Sequence, residues 1–234
     1  MTEPERADTV THEVGERIRD VVQEIKPRLR GWLHAGTLPV ALAAFIVLIV
    51  LTPGRDNKIG AAVFMASALQ LFGVSAVYHT GTWRPHVHAT LRRWDHANIF
   101  LLIAGSYTPF SLLLLERREA TILLTVVWAG AILGVVFRVF WVGAPKWLYV
   151  PIYIALGWAA VFYLGDFADS ASTAVLVLMI VGGGLYSLGG IIYALKRPDP
   201  FPRWFGFHEV FHTLTIAAFI THYIGVSLAA YALR

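Results

Sequence analysis

The stretch FHEVFHT, residues 207–213, places His208 and His212 four residues apart with Glu209 between them, the pattern H-E-x-x-H. On a helix both imidazoles leave the same face one turn apart, a pair of nitrogen donors suited to Zn²⁺, and Glu209 stands where a metalloprotease carries its general base. Such a protease usually recruits a further ligand downstream, often acidic. No Asp or Glu follows Glu209, and His222 lies ten residues on, which is ~15 Å along a helix. The best third imidazole is therefore far upstream, at His79 in SAVYH (residues 75–79). Three neutral imidazoles suit Zn²⁺ and leave a fourth tetrahedral position for water. Zinc lowers the pKa of that water to about 7, and a nearby carboxylate such as Asp95 can take its proton. Ser75, one turn from His79, is placed to hydrogen-bond an imidazole or the water.

Residues so far apart in sequence need a scaffold that gathers them. Seven segments free of Lys and Arg supply it: Trp32–Leu51, Ile59–Tyr78, Ala97–Leu115, Ala120–Phe137, Leu148–Leu164, Ser172–Leu195 and Phe211–Leu233. Each is close to the ~17–25 residues that cross the hydrocarbon core as a helix. An all-α, polytopic seven-helix membrane bundle is expected. In any such chain the end of span 2, the start of span 3 and the start of span 7 lie on one side, so His79, Asp95, His208 and His212 share a membrane depth. Asn98 and Ser106 continue from Asp95 along span 3. Thr215 and His222 continue from His212 along span 7, with His222 expected to bond across helices or line a cavity. His34 and His96 are expected at the membrane interface.

Composition agrees with this scaffold. Of 234 residues, 57% are hydrophobic and 15% charged, where a soluble domain carries about 25%. The absence of cysteine excludes disulfides and thiolate metal sites. With the N-terminus inside, 14 of the 19 Lys and Arg fall on the inner side and 5 outside, so the positive-inside rule gives N-in, C-out. Topology accounts for the basic residues and leaves nucleic-acid binding no role. Residues 1–30 form a cytoplasmic segment without an apolar signal-peptide core, and residues 31–234 the transmembrane domain. Within the first segment Val10, Val14, Ile18, Val21 or Val22, and Ile25 recur at helical spacing, which predicts an amphipathic helix on the inner leaflet ending at Pro27. Loops are short except HTGTWRPHVHATLRRWDH between spans 2 and 3. The glycines of GGGLYSLGG in span 6 allow close helix approach. The last span has no Schiff-base Lys, which excludes a retinal protein. The polar stripes gather at one end, unlike those of a pore lined throughout.

SAVYH, Asp95 in WDHANIF, and HEVFH together resemble the S-x₃-H, D and H-x₃-H signature of the progestin and adipoQ receptor family. KPRLRGWLH before span 1 and GSYTPF in span 3 look most like its bacterial hemolysin III branch, and the likeness runs through residues 26–234. The resemblance implies seven spans, an inward N-terminus and an intramembrane Zn²⁺ held by His79, His208 and His212. Asp95 would then stand at the zinc-bound water with Ser75 beside it. Adiponectin-receptor members and the related alkaline ceramidases look like amide hydrolases acting on ceramide-type lipids, and hemolysin III members are linked to membrane lipid homeostasis and haemolysis. The expectation is a zinc-dependent lipid hydrolase of the bacterial cytoplasmic membrane. It would act on a membrane lipid or fatty-acyl substrate at a site near the cytoplasmic side. The alternative is a sensor or receptor with a structural zinc; intramembrane protease and haemolysin readings are more remote. The role of Glu209 stays open.

Overall fold

The computed structural model describes residues 27–201 and 203–234; the helix expected over residues 10–25 lies outside them. Seven crossings follow one another. They are α1 (Trp32–Leu51), α2 (Arg55–Thr80), α3 (Pro85–Leu114), α4 (Arg117–Phe140), a composite fifth crossing, α7 (Thr173–Leu195) and α8 (Phe207–Tyr231). The fifth consists of α5 (Lys146–Gly157), a 3₁₀ turn (Ala159–Tyr163) and α6 (Leu164–Ser170). All seven are long and apolar enough to span a membrane. Among the described residues there is no strand, only an isolated bridge between Phe201 and Phe205.

Most helices run past their apolar segments, because charged residues at the membrane edge still complete helical turns. This corrects the expected long loop between spans 2 and 3. Pro85, with its φ preset for a first helical turn, opens α3, and the following HVHATLRRW contains no breaker. Asp95 therefore lies in the third turn of α3 rather than at its start. The long connection is instead residues 196–206, between α7 and α8.

Short connections make most sequence neighbours antiparallel partners. The largest interfaces are α1 with α2, α2 with α3, α3 with α4 and α7 with α8, and α1 also meets α8 to close the ring. The most enclosed crossing is α3, where every residue from Ala104 to Ser111 is buried. Hydrocarbon satisfies no backbone group, so the break in the fifth crossing needs a protein partner. Tyr107 supplies it. Its hydroxyl donates to the Gly157 carbonyl at 2.7 Å and accepts from the Ala160 amide at 2.9 Å. Other polar groups tie helices in the same way. Gln70 Nε2 on α2 donates to Asn98 Oδ1 on α3 at 2.9 Å, and the Tyr223 hydroxyl on α8 donates to the Ala44 carbonyl on α1 at 2.8 Å.

Close approach of α2 and α3 depends on Gly105, where a side chain would run into Ser67. Gly105→Val is expected to lower stability by about 1–3 kcal/mol through overpacking. Gly36→Ala, at a position with open space around it, should fall within about 0.5 kcal/mol of the parent. Thermal unfolding of the detergent-solubilised protein compares the two.

Candidate metal centre

The first two turns of α8 carry the histidine pair, and the amides that open the helix are held by two acidic side chains. Glu209 Oε2 accepts from the Gly206 amide at 2.8 Å, and Asp199 Oδ1 accepts from the Phe207 amide at 2.9 Å. Carboxylates suit a helix N-terminus because they satisfy free N–H groups and oppose the helix dipole. The other oxygen of Glu209 accepts from Arg30 Nε at 2.8 Å, and the Glu209 side chain is fully buried. Both carboxylate oxygens are thus engaged in holding structure. Arg30 belongs to a strap before α1, where the Arg28 and Leu29 amides donate to the Arg203 and Trp204 carbonyls. Gly31 ends the strap at φ +85°, and a Cβ there would collide with His79. The strap therefore lies directly on the histidine at the end of α2.

His79, His208 and His212 converge, with one ring nitrogen from each lying within 4.8 Å of the others. Ligands at a tetrahedral zinc stand roughly 3.4 Å apart, given Zn–N bonds of roughly 2.0–2.1 Å. The His79 and His208 Nε2 atoms are 3.3 Å apart. Asp95 Oδ2 lies 3.6 Å from His79 Nε2, beyond a direct hydrogen bond. The Ser75 hydroxyl is buried one turn from His79 with no hydrogen-bond partner among the described residues. This donor set, three imidazoles with a carboxylate beside them, fits a divalent cation such as zinc.

The sequence reading missed His34. It is 2% exposed rather than interfacial, stacks on His212 with ring centroids 4.0 Å apart, and has neither nitrogen partnered among the described residues. The odd–even argument that gathered the other helix ends also covers the start of α1 and would have found it. His96 likewise turns inward, its Nε2 3.3 Å from the Tyr193 hydroxyl. Asn98 is drawn away to Gln70. Ser106 faces a cavity, as does His222, whose Nε2 lies 3.2 Å from the Met179 carbonyl on α7.

That cavity starts at the histidines and descends between α3, α5, α7 and α8. His34, Ser75, Asp95, His96, His208 and His212 line its head, and Ile103, Tyr107, Trp158 and Phe211 are among the residues of its walls. The room it leaves for the centre of a water-sized sphere is about 100 Å³. A second lobe shares Ser106, Tyr107, Trp158, Gly183 and His222 and continues toward Leu164, Phe167 and Leu176. Both lobes have the apolar, concave character of small-molecule sites. Gly183 and Gly190 of the α7 glycine run line this space, and Gly189 lies against Phe211 and Leu214 of α8.

Fold and site together define a seven-helix integral membrane protein with a buried histidine cluster at the head of an apolar chamber. The chain matches the family described as Haemolysin-III related over residues 22–223, and it belongs to that family. It is 31% identical to a Hemolysin-3 homolog of Bacillus subtilis (strain 168) over 186 residues, 78% of this chain and 84% of that protein. It is 26% identical to Hemolysin-3 of Bacillus cereus over the same shares. It is also 29% identical to the Adiponectin receptor protein of Drosophila melanogaster, over 74% of this chain but 43% of that longer one.

Arg30→Ala strands a buried carboxylate, so it should cost about 3 kcal/mol, at the lower end for a broken buried pair because Arg30 is partly exposed. Glu209→Gln keeps an oxygen for Gly206 and should cost less. If Glu209 were instead a proton-transferring base, Glu209→Gln would abolish any activity while thermal unfolding barely moved.

Proposed function

We propose that the chain is a zinc-dependent intramembrane hydrolase acting on a lipid amide, ceramide-like or related, in the bacterial cytoplasmic membrane. The observation that carries this reading is the convergence of three imidazole donors and one carboxylate at the head of a long apolar chamber. His79, His208 and His212 would hold the zinc. When bound, zinc supplies Lewis-acid polarisation of the scissile carbonyl and a water acidified to a pKa of about 7.

The remaining work falls to the chain. The apolar walls take up acyl chains and exclude water, so that electrostatic interactions at the head act in a low dielectric. Asp95 Oδ2 takes the proton from the attacking water and returns it to the departing amine, as a general base and then a general acid. The Ser75 hydroxyl and His34, both without partners among the described residues, are available to the reacting carbonyl. Glu209, the H-E-x-x-H residue that a protease would use as base, holds the α8 cap and Arg30, which speaks against peptide cleavage by that motif. The positive-inside count supports a cytoplasmic side for this head. The receptor named among the relatives favours a second reading, a non-enzymatic membrane sensor or receptor whose zinc is structural.

Metal analysis of the purified protein should find about one zinc per chain, lost in the double variant His208→Ala, His212→Ala. Asp95→Asn should keep zinc while turnover falls at least roughly 100-fold. Cells carrying Asp95→Asn should then accumulate a lipid substrate. Zinc unchanged in the double variant would dismiss the ligand assignment, and an unaltered lipid profile with Asp95→Asn would favour the sensor.

A further inference from the structure

Deep in the chamber, well away from the histidine cluster, two polar groups face each other across α7 and α8. The His222 ring is held on several sides. Gly182 leaves the gap it occupies, since a Cβ there would collide with it, and Phe110 stands edge-on at 5.6 Å between centroids. Its Nε2 lies 3.2 Å from the Met179 carbonyl. A carbonyl only accepts, so Nε2 carries the proton and Nδ1 of the neutral ring is an acceptor. That Nδ1 is buried and has no partner among the described residues. Tyr186, one turn from Gly182 on α7, packs against the same ring at 5.5 Å, and its hydroxyl is also buried without a partner. Both residues line the chamber.

Buried polar groups are rarely left unsatisfied, because an unmade bond costs the full desolvation of the group. This pair offers one acceptor and one donor, both covered in this structure, beside the chamber that the two residues line. A single hydroxyl inserted beside these packed rings would satisfy both by donating to Nδ1 of His222 and accepting from the Tyr186 hydroxyl. A ketone accepts only and satisfies Tyr186 alone; a methylene satisfies neither. Along α8, His222 is ten residues beyond His212, a rise of ~15 Å. An extended chain whose head sits at the histidines reaches this level inside its length, beyond the midpoint of a sixteen-carbon chain.

We propose that Tyr186 and His222 form a second polar subsite that selects lipids carrying a hydroxyl within the chain, beyond its midpoint. The inference rests on the reading of the chamber as an acyl-chain site, and the test separates the two. Palmitic acid, a series of hydroxypalmitic acids with the hydroxyl moved along the chain, and the matching oxo acids are titrated into the full-length protein in nanodiscs. In-chain hydroxy acids should bind roughly 3- to 10-fold tighter than palmitic acid, with a maximum at one position and a smaller gain for the oxo acid. Tyr186→Phe, which removes only the hydroxyl oxygen, should erase that gain and leave palmitic acid binding unchanged. His222→Phe, which keeps a ring beside Gly182, should erase it too. Palmitic acid binding without any in-chain preference would overturn the subsite alone, with a buried water the simplest occupant of the pair. A preference that survives in both variants would overturn it as well. Failure of every acid to bind would overturn the chamber reading along with it.

Discussion

Hydrocarbon offers no hydrogen bonds, and the protein is shaped by having to satisfy its polar groups from within. Where the fifth crossing breaks at Gly157, the Tyr107 hydroxyl bridges the freed carbonyl and amide. Asn98, fully buried on α3, is paired with Gln70 on α2. Glu209 is the most demanding case, a buried carboxylate whose two oxygens are committed to Arg30 and the Gly206 amide. Through that pair the strap before α1 is fastened to the first turn of α8, with Gly31 pressed against His79 at the end of α2. Three parts of the chain remote in sequence are thereby held around the histidine cluster.

Against that background, the polar atoms that stay unpartnered among the described residues carry information. They include His34, Ser75, His212 Nδ1, the Tyr186 hydroxyl and His222 Nδ1. His34 and Ser75 lie at the head of the chamber beside the metal-competent cluster, and Tyr186 and His222 lie deep within it. The chamber exists because the fifth crossing is broken and lightly packed, while α7 presents glycines where bulkier residues would fill the space. The cavity thus joins a polar head to a largely apolar body.

Much of this was legible beforehand. Charge-free runs revealed seven crossings, since a lipid-facing Lys or Arg is costly enough to be excluded from them. Topology alone brought His79, Asp95, His208 and His212 to one depth, and the structure brings them within a few ångströms. The helix ends were less legible. Charged residues at a membrane edge do not announce whether they continue a helix, so HVHATLRRW has the composition of a loop although Pro85 marks a helix start. Glu209 was ambiguous because its sequence position fits a base and a cap equally well.

By itself the sequence determined the number of crossings, the all-α class and the set of donors at one membrane level. Those follow from hydropathy and helical periodicity, which are local properties. Only the tertiary structure decided which donors touch. It stacked His34 on His212, turned Asn98 toward Gln70 and committed Glu209 to Arg30. It also opened the chamber between α3, α5, α7 and α8. The reason is physical: rotation of each helix about its axis and the path of its connections are set by packing against neighbours, and no single segment contains that information.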